Sequence, residues 1–298
     1  MSRLSASTRD LSDLFQLERV RAAGVSWASL WRDPSLILGV SLLALVTLMA
    51  ILGPAVSPYS PIAPDAQARL QPPAPEHWMG TDKFGRDILS RVLTAARLDV
   101  GISFSVTLSA FSVGSALGAI AGYQKGVVDD VIMRVTDVVL SFPGFILALG
   151  ITAMLGNSIP NVVIAIALAY TPYFIRLTRA EMLSVRETEY ADAARCVGNP
   201  TWRLIGYHLL PNAITPALVQ ATLVLGWSIL DTAGLSFLGI GIGPPTAEWG
   251  VMVADGAQHI FSEGREWWIF FFPGLIIMLA VIGFNLTGDR LRDALAPQ

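Results

Sequence analysis

Apolar positions along this chain do not alternate with polar ones; they run together. Six stretches, residues 35–56, 100–123, 138–158, 160–175, 212–230 and 267–286, are almost free of charge. A bilayer core roughly 30 Å thick takes about 20 apolar residues of helix, and a helix satisfies its own backbone in lipid. The pattern therefore predicts six membrane-spanning helices. The fourth is short, stopping before Arg176, and the fifth meets Asp231 with a further apolar stretch behind it. The first begins too far into the chain, and runs too long, for a cleaved signal peptide, and reads as a signal anchor. The expected divisions are an N-terminal segment 1–34, an anchor 35–56, an outer loop 57–99, a core 100–290 interrupted by a polar loop at 177–211, and a tail 291–298.

Composition agrees with this reading. The 298 residues are 53% hydrophobic and 14% charged, against about a quarter charged in an ordinary soluble domain. A net charge of −3 leaves no electrostatic footprint for nucleic acid. The single cysteine, Cys196, excludes an internal disulfide framework and a multi-cysteine metal site. With the N-terminus inside, fourteen Lys and Arg fall on inner segments and six on outer ones. The positive-inside rule then puts both termini and the 177–211 loop in the cytoplasm. The first outer loop is basic, but Asp65, Glu76, Asp82, Asp87 and Asp99 match its charge.

The polar loop carries its own structural signals. Thr188 is placed to cap a helix with Glu189 in its first turn, where the helix dipole favours an acid. Gly198 stands where a helix ends. Asn199 and Pro200 restart a second helix as cap and first residue. That helix runs over Trp202, Leu204, Ile205 and Leu209 and stops before Pro211. Ala191, Ala193 and Ala194 leave the first helix with a nearly bare face that another backbone can approach. From local physics alone, a plain linker between two spans is as good a reading as a docking element.

A resemblance separates those two. Asp192-Ala193-Ala194, three residues, Gly198, nine residues, then His208-Leu209-Leu210-Pro211 resembles the EAA loop of ABC importer permeases, with Asp for the motif glutamate and His for its isoleucine. The segments GTDKFGRDILSRVLTAARLDVGIS, MRVTDVVLSFPGFILALGI, GLSFLGIGIGPPTAEWGVMVADG and FPGLIIMLAVIGFNLTGDRLRDAL resemble the dipeptide, oligopeptide and nickel branch of that family, in the same order. Residues before about Ser35 carry no such likeness. The resemblance implies an all-α, polytopic protein with six transmembrane helices and the type I ABC importer permease fold. It implies coupling to an ATPase through Glu189, Asp192, Ala193, Ala194, Gly198, His208, Leu210 and Pro211. The implied partners are a second homologous permease, two ATP-binding subunits and an extracytoplasmic solute-binding protein. The implied cargo is a di- or oligopeptide, with nickel or another chelated metal as the alternative.

Other chemistries find little support. A P-loop needs a Lys before Ser or Thr, and the two lysines precede Phe84 and Gly126. ATP and its magnesium therefore belong to partner subunits, and no cofactor is expected here. A serine elbow fails at 234–238 for want of its second glycine. His77, His208 and His259 fall on different loops, and no HExxH pair exists. A gradient-driven transporter is the rival class, since an intramembrane acid is a site hypothesis by default. Only Asp231 qualifies. It reads first as a hydrogen bond to a neighbouring helix and second, with Ser236, as part of a pathway or gate. Gly114, Gly118 and Gly122 form a small-residue stripe suited to close helix packing. Pro143 and Pro273 are candidate kinks. Trp249, Trp267 and Trp268 read as interfacial anchors. Arg176, Arg179 and Arg186 read as topology determinants that also offer contacts to the ATPase.

Overall fold

The computed structural model describes residues 33–262 and 266–295, with the backbone alone for 259–262 and 295. All but the last two residues of the N-terminal segment lie outside these limits, as do the side chain of His259 and the end of the tail. Helix α1, Pro34–Val56, starts at Asp33, whose Oδ1 accepts the Ser35 amide at 2.8 Å. After an outer loop, α2 runs over Ile88–Gln124. Its 37 residues are about 55 Å long at 1.5 Å per residue. Then come α3, Gly126–Leu140, α4, Gly144–Leu155, and α5, Ile159–Val185. The polar loop holds α6, Glu189–Cys196, α7, Thr201–Arg203, a π-helical turn Leu204–Leu209, and α8, Leu210–Ala213. The chain ends with α9, Thr215–Phe237, α10, Trp249–Ser262, and α11, Trp267–Leu295.

Helices α1, α2, α5, α9 and α11 are long and apolar enough to cross a membrane, and the pair α3–α4 makes a sixth span if its halves count as one. That third span, expected at 138–158 with Pro143 as a candidate kink, is a sharp break rather than a mild kink. It bends by 89° at residues 141–143. Pro143 has no amide proton to continue α3 and disfavours helical geometry at Phe142. The chain restarts as α4 with Pro143 at its N-cap.

The glycine stripe of α2 is a contact surface with α5. An added Cβ on Gly114 would lie 2.5 Å from the Phe174 Cβ, and one on Gly122 would lie 2.8 Å from the Arg179 carbonyl oxygen. Small residues let backbones approach where lipid supplies no hydrophobic drive between helices. Helix α11 packs against α9 and α1, with Gly226 against Phe284 and Gly283 against Leu42 and Leu43.

The end of the bundle opposite the polar loop is bound by buried charge. Asp82 accepts the Phe84 and Arg86 amides on Oδ1, and its Oδ2 takes Arg86 Nε at 2.6 Å. Arg91 Nε approaches the same Oδ2 at 3.7 Å, while its Nη1 donates to the Pro61 carbonyl at 2.7 Å. Lys83 and Arg86 reach Asp255 on α10. Asp87 caps α2 through Ser90 and takes His77 Nδ1 at 2.9 Å. Asp99 does not join this balance: its Oδ2 accepts the Trp249 amide at 3.1 Å. Trp249 and Trp268 are correspondingly not interfacial anchors. Both are buried, with indole N–H groups donating to the Val92 and Thr81 carbonyls. Trp267 is half exposed, as an anchor would be. Helix α10, which hydropathy placed in an outer loop, is held by these contacts and by Glu248, whose two oxygens accept the Gly250 and Val251 amides.

Candidate functional site

The polar loop folds as two short helical pieces joined by a left-handed turn. Gly198 has φ +83°, and an added Cβ would meet nothing within 4 Å, so the backbone conformation rather than space calls for glycine. The local capping differs from the sequence reading. Thr188 precedes α6 but its hydroxyl donates to the Val185 carbonyl and caps nothing. Asn199 closes the first helix, its Nδ2 donating to the Ala194 carbonyl at 2.9 Å, and Pro200 is the cap of the second. The second helix does not stop before Pro211. It widens into the π turn and carries Pro211 inside α8. A proline ring clashes with the carbonyl four residues back, here that of Tyr207, in a regular α-helix. The wider π turn relieves that clash, and such turns recur at functional sites.

One face of the loop is fastened to the bundle. Ala191, Leu204, Leu209 and Ala213 are buried with Ala119 of α2 and Met182 of α5, and Tyr123, Ala194 and Leu210 pack around them. The alanines therefore do not share one bare face: Ala191 points inward, Ala193 is exposed, and Ala194 is half-buried. Arg186 donates to the Tyr123 carbonyl at the end of α2, and Arg195 Nη2 to the Arg186 carbonyl at 2.7 Å. Both guanidiniums lie 5.9 Å from the Tyr123 ring centroid. These residues, with Gln124 and Thr201, line a cleft of about 410 Å³ between the loop and α2. Arg179 is engaged inside the chain by a two-pronged pair with Asp129 at 2.5 and 2.6 Å. The sequence singled out neither Ala191 nor Tyr123 as the fastening points, because both gain that role from helices far away in the chain.

The opposite face is bare. Val197, Trp202 and Tyr207 are 82%, 75% and 74% exposed, with Tyr190 beside them on α6. Glu189, Asp192, Gly198 and Pro211 are exposed too, and His208 is half-buried with its ring edge-on to Tyr207. Asp192 Oδ1 accepts Arg195 Nη1 at 2.5 Å. In Glu187, next to the loop, the Lys125 ammonium at 3.1 Å holds the carboxyl below the usual glutamate range.

The two intramembrane candidates are not brought together. Asp231 meets α5, where the Tyr170 hydroxyl donates to its Oδ2 at 2.7 Å. Ser236 is buried, and its Oγ accepts the Ile242 amide at 3.2 Å, closing the turn after α9. Among the described residues no group of three or more His, Cys, Asp or Glu is placed to hold a metal ion.

Comparison with known proteins matches residues 114–298 to the family described as binding-protein-dependent transport system inner membrane component. Residues 24–73 match the N-terminal TM domain of oligopeptide transport permease C, so the likeness begins ahead of Ser35 rather than at it. A dipeptide transport system permease protein of Alkalihalophilus pseudofirmus is 44% identical over 88% of this chain and 85% of its own length. A probable D,D-dipeptide transport system permease protein of Escherichia coli is 40% identical over 94% and 93%. The nickel transport system permease protein of the same organism is 40% identical over 87% and 93%. With its bundle of apolar helices and these relatives, the chain belongs to the binding-protein-dependent inner membrane components, the permease subunits of ABC importers.

Proposed function

We propose that this permease imports di- and oligopeptides across a bacterial inner membrane, with both termini cytoplasmic. In this reading it forms the path with a second homologous permease, takes cargo from an extracytoplasmic binding protein, and is driven by two separate ATP-binding subunits through residues 177–211. One observation carries the coupling role. The loop is fastened to α2 and α5 on one face and presents exposed apolar side chains, Val197, Trp202 and Tyr207, on the other. An exposed apolar patch beside polar residues marks a protein contact, and aromatic residues dominate the energetics of such contacts. Because Met182 and Ala119 sit near the ends of long helices, movement of the loop is passed directly into the spans.

ATP and magnesium would be bound in the partner subunits, whose closure draws the two permeases' loops together and reorients the spans. Peptide cargo is favoured by the dipeptide relatives. The 40% identity to a nickel permease keeps a chelated metal as the second reading, and the loaded binding protein discriminates the two. The coupling role is tested with Trp202→Asp in the assembled transporter. The variant is expected to insert normally while the ATP-binding subunits no longer co-purify with it. Undiminished co-purification would place the docking surface elsewhere.

A further inference from the structure

Asp231 has a neighbourhood that a structural hydrogen bond alone does not explain. Tyr170 occupies Oδ2. Among the described residues Oδ1 has no hydrogen-bond partner, and no Arg or Lys pairs with the carboxylate. A charge in a span without a partner is costly, and such residues face the bundle interior or a water-filled cavity. The remaining oxygen is therefore placed for a cation that this chain does not supply.

The surroundings narrow the kind of cation. The Tyr170 ring stacks on Trp227 at 6.2 Å with 27° between planes, and the Tyr173 ring stands 6.0 Å from Tyr170. Tyr173 is 42% exposed, so the cluster is open on the flank of the subunit. Gly234, one turn beyond Asp231, lets the Phe145 ring of α4 come within 3.0 Å of where a Cβ would sit. The site thus lies where α5 and α9 meet the helix that follows the 89° break. That break leaves Ser141 and Phe142 exposed. Irregular backbone at membrane depth persists only where protein or a water-filled cavity covers it. A metal ion would call for several oxygen or nitrogen ligands, whereas one carboxylate beside aromatic faces fits an organic ammonium, held by charge and by the rings' negative faces.

We propose that Asp231, with Tyr170, Tyr173 and Trp227, forms a transient site in the translocation path for the α-ammonium group of the passing cargo. This rests on the peptide-import reading above. Tyr170 holds the carboxylate by Oδ2 and leaves Oδ1 to the ammonium, beside the aromatic rings.

The test uses the complete transporter, both permeases, both ATP-binding subunits and the binding protein, in proteoliposomes with Ala-Ala as the probe. Wild-type ATP-driven uptake of Ala-Ala supports the import reading, and its absence would sink that reading whatever Asp231 does. Given uptake, Asp231→Asn is expected to slow it about tenfold or more, the size of one lost charge contact. ATP hydrolysis stimulated by the loaded binding protein should stay within about twofold of wild type, and Asp231→Glu, which keeps the negative charge, should restore most of the uptake. Unchanged uptake in Asp231→Asn overturns the proposal. So does joint loss of uptake and hydrolysis that Glu does not restore, which makes Asp231 a bond between α5 and α9 only. Uptake that depends on a pH gradient in wild type and not in Asp231→Asn marks a proton site and overturns it as well. Should Asp231→Asn fail to insert, Tyr173→Leu serves in its place: uptake reduced about threefold with hydrolysis kept supports the site, and unchanged uptake overturns it.

Discussion

Gly118 of α2 lies so close to α5 that an added Cβ would sit 2.5 Å from the carbonyl oxygen of Ile175. That oxygen belongs to a helix backbone and cannot swing aside as a side-chain tip can. Gly118→Val is therefore expected to separate the two helices and cost about 3 kcal/mol or more, the upper range for overpacking. Gly101 on the same helix has nothing within 4 Å of a Cβ, and Gly101→Ala should be tolerated. Thermal unfolding of the two purified variants in detergent checks the contrast. Equal midpoints would mean that the stripe does not set the α2–α5 distance.

The turn in the polar loop depends on a different property of glycine. Gly198 has a positive φ, and its amide donates to the Arg195 carbonyl at 2.9 Å. Gly198→Pro cannot adopt that angle and loses that bond. The variant should insert normally but show no stimulation of ATP hydrolysis by loaded binding protein. Gly198→Ala should cost about 1 kcal/mol and keep part of the stimulation. Full stimulation in the proline variant would contradict a rigid link between loop and spans.

The buried charge network makes an equally direct prediction. Asp82 is the carboxylate shared by Arg86 and Arg91, all three being buried. Asp82→Ala leaves two guanidiniums out of water without it, and removing one partner of a buried pair typically costs about 3–5 kcal/mol. A loss of midpoint corresponding to less than about 1 kcal/mol would show that water or Asp255 compensates.

Glu248 supplies a pH dependence. Burial pushes its carboxyl above the usual value near 4.5, although the Gly250 and Val251 amides favour the charged form. For an acid raised on folding, the folded state binds the extra proton. The stability it contributes is full below about pH 4.5 and is lost as pH rises toward the raised value. Glu248→Gln should flatten that slope in unfolding midpoints measured between pH 4.5 and 8. A slope unchanged in the Gln variant would assign it to other groups.

Much of this protein follows from local chemistry. The spans at α1, α2, α5, α9 and α11 are legible because lipid exposure demands runs of apolar residues, a property of consecutive positions. The two-piece loop is legible because Gly198 and Pro200 act on their own backbone. What the sequence misplaced depends on residues far apart. Trp249 reads as an interfacial anchor until Asp99, 150 positions away, takes its amide and the core closes over its ring. Asn199 closes the first helix through the Ala194 carbonyl instead of capping the second, and Pro200 takes the cap. The bend between α3 and α4 was signalled by Pro143, but nothing local announced its 89° size. Asp231 was visible as an intramembrane acid. Only the fold brings it Tyr170, 61 positions away, and leaves its second oxygen open. Local composition determined where the chain crosses the membrane. Which side chains meet inside it was decided by helix packing, because contact there depends on how helices register against each other and not on their separate sequences.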